Sequence, residues 1–106
     1  MEQREYIQRV LEAYLATPGT AGVARRADRL FADRLYERGV SLETVGNALT
    51  LAAARRLARP ADAPPLGIIR SLAYFSPVIE EVLQLKVGPG YFQHLRNKLL
   101  RASTAR

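Results

Sequence analysis

The amino-terminal part of the chain shows apolar residues at helical spacing. The first stripe repeats at i, i+3, i+4, i+7 and i+8 and consists of Ile7, Val10, Leu11, Tyr14 and Leu15. We expect this amphipathic helix to end near Pro18, because proline disfavours helical geometry in the residue before it and Gly19 permits a turn. A second stripe predicts a second helix with a charged outer surface, and it consists of Val23, Ala27, Leu30, Phe31 and Leu35.

A tight turn joins the second predicted helix to a third. Gly39 suits the left-handed position that ends a helix, and Ser41 suits the N-cap of the next one. The third helix is expected to run from Leu42 to about Ala58 and is rich in alanine, which favours helix. Its buried stripe is predicted to contain Leu42, Val45, Leu49, Ala53 and Leu57. Residues 60–66 hold three prolines and predict a rigid connector without helix.

The most apolar part of the chain, residues 68–85, follows the connector and is predicted to supply the centre of the core. We expect a new helix at Pro77, with Ser76 as its N-cap and the proline in its first position. Residues 86–90 break the pattern, and a last helix is predicted from Tyr91 to about Ala102, followed by a frayed tail at 103–106. The prediction is therefore an all-α single domain over residues 1–106, a compact bundle of five or six short helices with a helix-turn-helix-like hairpin and a proline-rich connector.

The composition is typical of a globular cytoplasmic protein with no membrane segment. Hydrophobic residues make up 48% of the 106 positions and charged residues 25%, which is ordinary for one folded domain. No apolar run approaches the roughly 18 residues that span a bilayer, and the residues after Met1 do not resemble a signal sequence. The chain has no cysteine and one histidine, so we expect no metal site, no cofactor and a reducing compartment.

The excess of positive charge lies in the second half of the chain. Residues 1–43 carry seven basic and seven acidic side chains, whereas residues 44–106 carry nine basic and three acidic ones, which accounts for the net charge of +6. A basic surface of this kind attracts polyanions such as nucleic acids, or acidic protein surfaces. The other interpretation is a solvated surface that only serves solubility.

No set of side chains in the sequence predicts catalysis. His94 has no acidic residue near it in sequence to orient it, as a catalytic triad would require. Glu80 and Glu81 are adjacent and point about 100° apart on a helix, so they do not form a catalytic pair. We expect a protein that is not an enzyme.

Nine residues are candidates for contact with DNA or RNA. On the last helix, a tyrosine and three basic or titratable groups share one face by their spacing, namely Tyr91, His94, Lys98 and Arg101. An aromatic ring among basic groups suits stacking on a base together with contact to phosphates. The other candidates flank the proline connector or lie on the last helix, and they are Arg55, Arg56, Arg59, Arg70 and Arg96.

Residues 27–59 also have the layout of a helix-turn-helix unit, with Gly39 in the turn. The outer surface of the recognition helix would then consist of Ser41, Glu43, Thr44 and Asn47. However, Leu35 stands where the motif usually has a small residue, and Glu43 would face phosphates. A plain helical hairpin explains the same residues.

Several short segments carry a resemblance to known proteins. They are Ala27-Asp28-Arg29, the stretch from Gly39 to Val45, and Ile69 to Phe75 with the following Val78 to Val82. Across residues 25–83 the chain resembles short, uncharacterised helical proteins of bacteria whose genes lie beside mobile elements and replication-accessory genes. This resemblance implies a helical accessory factor that contacts DNA or a replication or recombination protein, and it implies no active site.

We therefore expect a small nucleic-acid-binding accessory protein that acts through a basic C-terminal surface. The alternative is a non-catalytic protein-interaction or self-assembly module, for example a homodimer. In that case a partner helix would lie on an apolar strip formed by Leu72, Tyr74, Phe75, Val78, Ile79 and Val82.

Overall fold

A computed structural model describes residues 1–85 and 89–104 of the chain. Five α-helices and one short 3-10 helix follow one another, namely α1 (Gln3–Ala16), α2 (Arg26–Glu37), α3 (Leu42–Leu57), the 3-10 helix (Leu72–Phe75), α4 (Ser76–Gln84) and α5 (Pro89–Thr104). No β-strand occurs in this part of the chain, and an isolated parallel bridge joins Thr20 to Ile69. The predicted all-α class is confirmed.

Helix α3 lies at the centre and contacts α1, α4, α5 and the 3-10 helix. Small buried residues such as Ala48 and Ala52 let these neighbours approach closely. Ser41 caps the helix by accepting the Thr44 N–H at 3.0 Å. The predicted burial of Leu57 is wrong, because open grooves separate the last turn of α3 from α5 and leave this side chain 41% exposed.

Three helix starts differ from prediction, and one of them is that of α5, which begins at Pro89 and not at Tyr91. Helix α2 begins at Arg26, so Val23 lies before it and is exposed. Helix α4 begins at Ser76 with Phe75 as the N-cap, so the predicted cap is wrong and Pro77 lies one position later than expected. Helix α5 reaches Thr104 and so takes in two positions of the predicted frayed tail, while residues 86–88 and 105–106 lie outside the described part.

The segment before the 3-10 helix is extended and not helical. The Ile69 N–H donates to the Gly19 carbonyl at 2.8 Å, and the Ile69 carbonyl accepts the Ala21 N–H at 2.9 Å. Successive side chains point to opposite sides of an extended backbone. Ile69 is therefore 2% exposed, whereas the side chain of the preceding residue, Ile68, is 63% exposed. The expectation that all of residues 68–85 is central core is therefore wrong at Ile68.

A buried carboxylate joins α2 to the 3-10 helix. Asp28 is 2% exposed, and its Oδ2 accepts the Arg25 N–H at 2.8 Å while its Oδ1 accepts the Leu72 N–H at 2.9 Å. Both oxygens are thus paired, as burial of a charged group requires. Burial and the nearby Asp28 carboxylate raise the pKa of Tyr14, although the Arg25 charge opposes this.

We predict that Asp28→Asn lowers the free energy of unfolding by about 1–3 kcal/mol, because the new NH2 group would face one of the two backbone N–H donors and leave it unpaired. Urea unfolding followed by circular dichroism measures the loss. Asp62→Asn removes an exposed carboxylate and is the matched control, with an expected change within about 0.5 kcal/mol. A loss no larger than that of the control would contradict the structural role of Asp28.

Candidate nucleic-acid interface

Of the grooves that flank the C-terminal half of α3, two share the side chain of Arg55. The first, which we call the α3–α5 groove, has a volume of about 290 Å³, and its lining consists of Arg55, Tyr91 and Lys98 with leucines of both helices and two alanines at the end of α3. The second, which we call the arginine groove, has a volume of about 360 Å³, and its polar lining is Arg55, Arg56, Arg59 and Tyr74. Arg55 borders both grooves, so they adjoin at this side chain.

Arg55 is held by Glu81 of α4. Its Nη1 donates to Oε1 at 3.0 Å and its Nη2 pairs with Oε2, so the contact is bidentate. The hydrogen bond raises the pKa of Arg55 and lowers the pKa of Glu81. Both side chains are exposed, so water screens the pair and it adds little to stability. Another anion can therefore replace Glu81 at small cost.

Arg56 and Arg59 support the helix-free segment that follows α3. Arg56 Nη2 donates to the Gly67 carbonyl at 3.0 Å, and Arg59 Nη2 donates to the Pro64 carbonyl at 2.6 Å. The Arg56 guanidinium also lies against Gly19, where an added Cβ would stand 3.1 Å from Nη2. A guanidinium has five N–H donors, so each arginine keeps donors for a ligand.

The other four predicted residues line neither of these two grooves. Arg96 donates to Asn47 Oδ1 at 2.5 Å and lines a separate groove beside Glu43. Arg70 is exposed and lines neither groove, and the same is true of His94 and Arg101 on α5. The structure thus groups five of the nine predicted residues, which are Arg55, Arg56, Arg59, Tyr91 and Lys98.

Tyr74 is a groove residue that sequence reasoning did not assign to the basic surface. Its ring is 47% exposed, and its hydroxyl lies 3.4 Å from Arg56 Nη1. The available signal was the dipeptide Tyr-Phe, which occurs at 74–75 and again at 91–92. In both copies the phenylalanine is buried and the tyrosine is exposed.

The apolar strip expected to receive a partner helix is mostly covered by the chain itself. Leu72, Phe75, Ile79 and Val82 are all buried in the hydrophobic core. Of that strip, Tyr74 is exposed and Val78 is half-buried. The expectation of a continuous exposed strip is therefore wrong at the four residues that already lie in the core.

The enclosure of α3 bears on the helix-turn-helix interpretation. Among residues 42–54 of this helix, only Glu43 is fully exposed. Asn47, which the interpretation placed on the outer surface, accepts a hydrogen bond from Arg96 of α5. A recognition helix needs a free face to enter the major groove. This geometry argues against a recognition helix at α3.

A larger groove lies elsewhere, between α1 and α2. It has a volume of about 800 Å³ and contains none of the nine predicted residues. Its charged lining has both signs, and consists of Glu2, Arg4, Glu12 and Arg29. Mixed charge gives no preference for a polyanion, so this groove is not the candidate interface.

Comparison of the chain with protein-family models, curated proteins and solved structures found no match. Within residues 1–85 and 89–104, no group of three or more histidine, aspartate or glutamate side chains is placed to hold a metal ion. None of the helices in the same part of the chain combines the length and apolar character needed to cross a bilayer.

We predict that acidification weakens two ion pairs of α4, those of Glu80 with Arg38 and Glu81 with Arg55. Each hydrogen bond lowers the glutamate pKa below its ordinary 4.5, so the stabilisation is present above that value and is lost as the pH falls through the folded-state pKa. The free energy of unfolding should fall between about pH 6 and about pH 3. It should fall less in a Glu80→Gln/Glu81→Gln double variant, as urea unfolding at both pH values would measure. An equal fall in both proteins would contradict the assignment.

Proposed function

We propose that this protein is a small nucleic-acid-binding accessory factor, without catalytic activity, that serves DNA replication, recombination or mobile elements in the cytoplasm. The observation that carries the proposal is the convergence of Arg55, Arg56, Arg59 and Lys98 on two adjoining grooves. We call these four residues the basic surface.

The electrostatics of the basic surface support a polyanionic ligand. The described residues that line the two grooves include four cations and no acidic side chain, and the carboxylate at their border is that of Glu81, which pairs with Arg55. Arginine binds phosphate through two parallel N–H donors, and such bonds are stronger than neutral ones. Binding of several phosphates releases counterions from the nucleic acid, so affinity should fall steeply as salt rises.

Glu81 gives the surface an internal competitor for phosphate. Its carboxylate engages Arg55 in the bidentate geometry that a phosphate would also use. Binding of a phosphate at Arg55 would therefore displace Glu81, and the exposed ion pair would offer little resistance.

Loss of two cations from the basic surface should weaken binding to a fluorescently labelled oligonucleotide. We expect Arg59→Gln/Lys98→Gln to reduce affinity at every salt concentration and to make the slope of log K against log salt shallower by roughly 1–2, because two phosphate contacts are removed. Fluorescence anisotropy at several salt concentrations measures both quantities.

The matched control for this experiment is Arg26→Gln/Arg34→Gln, which removes the same charge from exposed positions of α2. It should retain most of the affinity. Equal weakening by the two double variants would mean that net charge alone attracts the ligand. If the unmodified protein binds neither a duplex nor a single strand at low salt, the proposed function is refuted.

Removal of the internal competitor should strengthen binding. Glu81→Gln frees Arg55 and should raise the affinity for the oligonucleotide about two- to fivefold, the range expected from loss of one exposed ion pair. Glu80→Gln is the control, because it removes the same charge from the neighbouring residue, whose partner Arg38 lines neither groove. Equal effects of the two variants would exclude competition at Arg55.

A further inference from the structure

Two exposed tyrosines of the grooves are supported in the same way. The Tyr74 ring packs edge-on against Phe75 with centroids 5.2 Å apart and planes at 82°, and the Tyr91 ring packs against Phe92 at 5.3 Å and 78°. Each phenylalanine is buried, while Tyr74 is 47% and Tyr91 43% exposed. A buried ring thus holds each exposed ring in place, so the tyrosine loses little conformational freedom when it binds a flat ligand.

Each groove contains one of the two tyrosines, and the grooves share one cation. Tyr91 lines the α3–α5 groove, Tyr74 lines the arginine groove, and Arg55 borders both. A ligand that occupied both grooves would therefore contact two aromatic rings and the guanidinium that the grooves share. A single nucleic-acid strand offers the matching groups, which are bases and a phosphate.

The strand that uses this arrangement must have unpaired bases. In a duplex the faces of the bases are stacked on one another and cannot lie on a side chain, whereas single-stranded segments stack their bases on tyrosine and arginine. Readout of a duplex would instead need a helix in the major groove, and α3 is enclosed by its neighbours.

From this placement we propose that the basic surface binds single-stranded DNA or RNA, with bases stacked on Tyr74 and Tyr91 and a backbone phosphate at Arg55. The inference rests on the proposed function and specifies that the nucleic acid is single-stranded. An acidic protein segment would satisfy the same cations, but it would make no use of two tyrosine faces held by buried rings.

The test compares a labelled thymidine oligonucleotide of about 12 nucleotides with a hairpin duplex of similar phosphate number, by fluorescence anisotropy at low salt. The oligonucleotide should bind more tightly than the duplex. Tyr74→Leu and Tyr91→Leu should each weaken its binding by roughly tenfold, because base stacking on an aromatic ring is lost. Tyr74→Phe and Tyr91→Phe keep the ring and should stay within about twofold of the unmodified protein. Circular dichroism verifies that each variant is folded.

A second readout follows stacking directly. The chain has no tryptophan and five tyrosines, so its intrinsic emission comes from tyrosine. Stacking of thymine on Tyr74 and Tyr91 should quench part of this emission. The Tyr74→Leu/Tyr91→Leu double variant should lose that quenching, although its other tyrosines still emit.

Three outcomes would overturn the inference. If the duplex binds as tightly and the leucine variants bind normally, while Arg59→Gln/Lys98→Gln weakens binding, the proposed function stands and single-strand stacking is refuted. If no nucleic acid binds, both proposals fail. If polyglutamate displaces the oligonucleotide at equal concentration of charge, the surface recognises acidic chains by charge alone and the stacking assignment is wrong.

Discussion

The arginine groove depends on one buried carboxylate, which holds the 3-10 helix in place. Asp28 of α2 accepts the backbone N–H of Leu72, a residue 44 positions away, at 2.9 Å. Leu72 begins the 3-10 helix, which carries both Tyr74 and Phe75. Because a buried N–H and a buried charge are both unfavourable when unpaired, the two segments are held together as a unit. The position of Tyr74 beside Arg56 follows from this hydrogen bond.

The arginines at the end of α3 have a structural role and a proposed binding role at once. Arg56 and Arg59 hold the helix-free segment through the carbonyls of Gly67 and Pro64. Arg55 is restrained by Glu81 of α4. The backbone contacts of Arg56 and Arg59 order these two long side chains before a ligand arrives, which reduces the entropy that binding would lose. Because these arginines already have partners within the protein, the net charge of the chain overstates the number of cations that are available to a ligand.

Capping and turn residues predicted the ends of a helix well where the hydrogen bonds that end or begin it join residues close together in the sequence. Gly39 has a φ of +75°, and Ser41 caps α3 as expected, because both depend only on the adjacent backbone. The segment around Ile69 was not predictable in this way. Its apolar composition also suits a buried helix, and its extended form is stabilised by hydrogen bonds to Gly19 and Ala21, far away in the chain.

The sequence by itself determined the all-helical class, most helix boundaries and the identity of the basic residues, since helical periodicity and capping act over a few neighbouring positions. The tertiary structure decided which of those basic residues share a surface, because α5 and the 3-10 helix meet α3 only in the folded chain. It also decided which tyrosines are buried and which are exposed, a difference that the sequence does not show. Tyr14 is fully buried beside Asp28, whereas Tyr74 stays half exposed, because burial is set by contacts between segments that are distant along the chain.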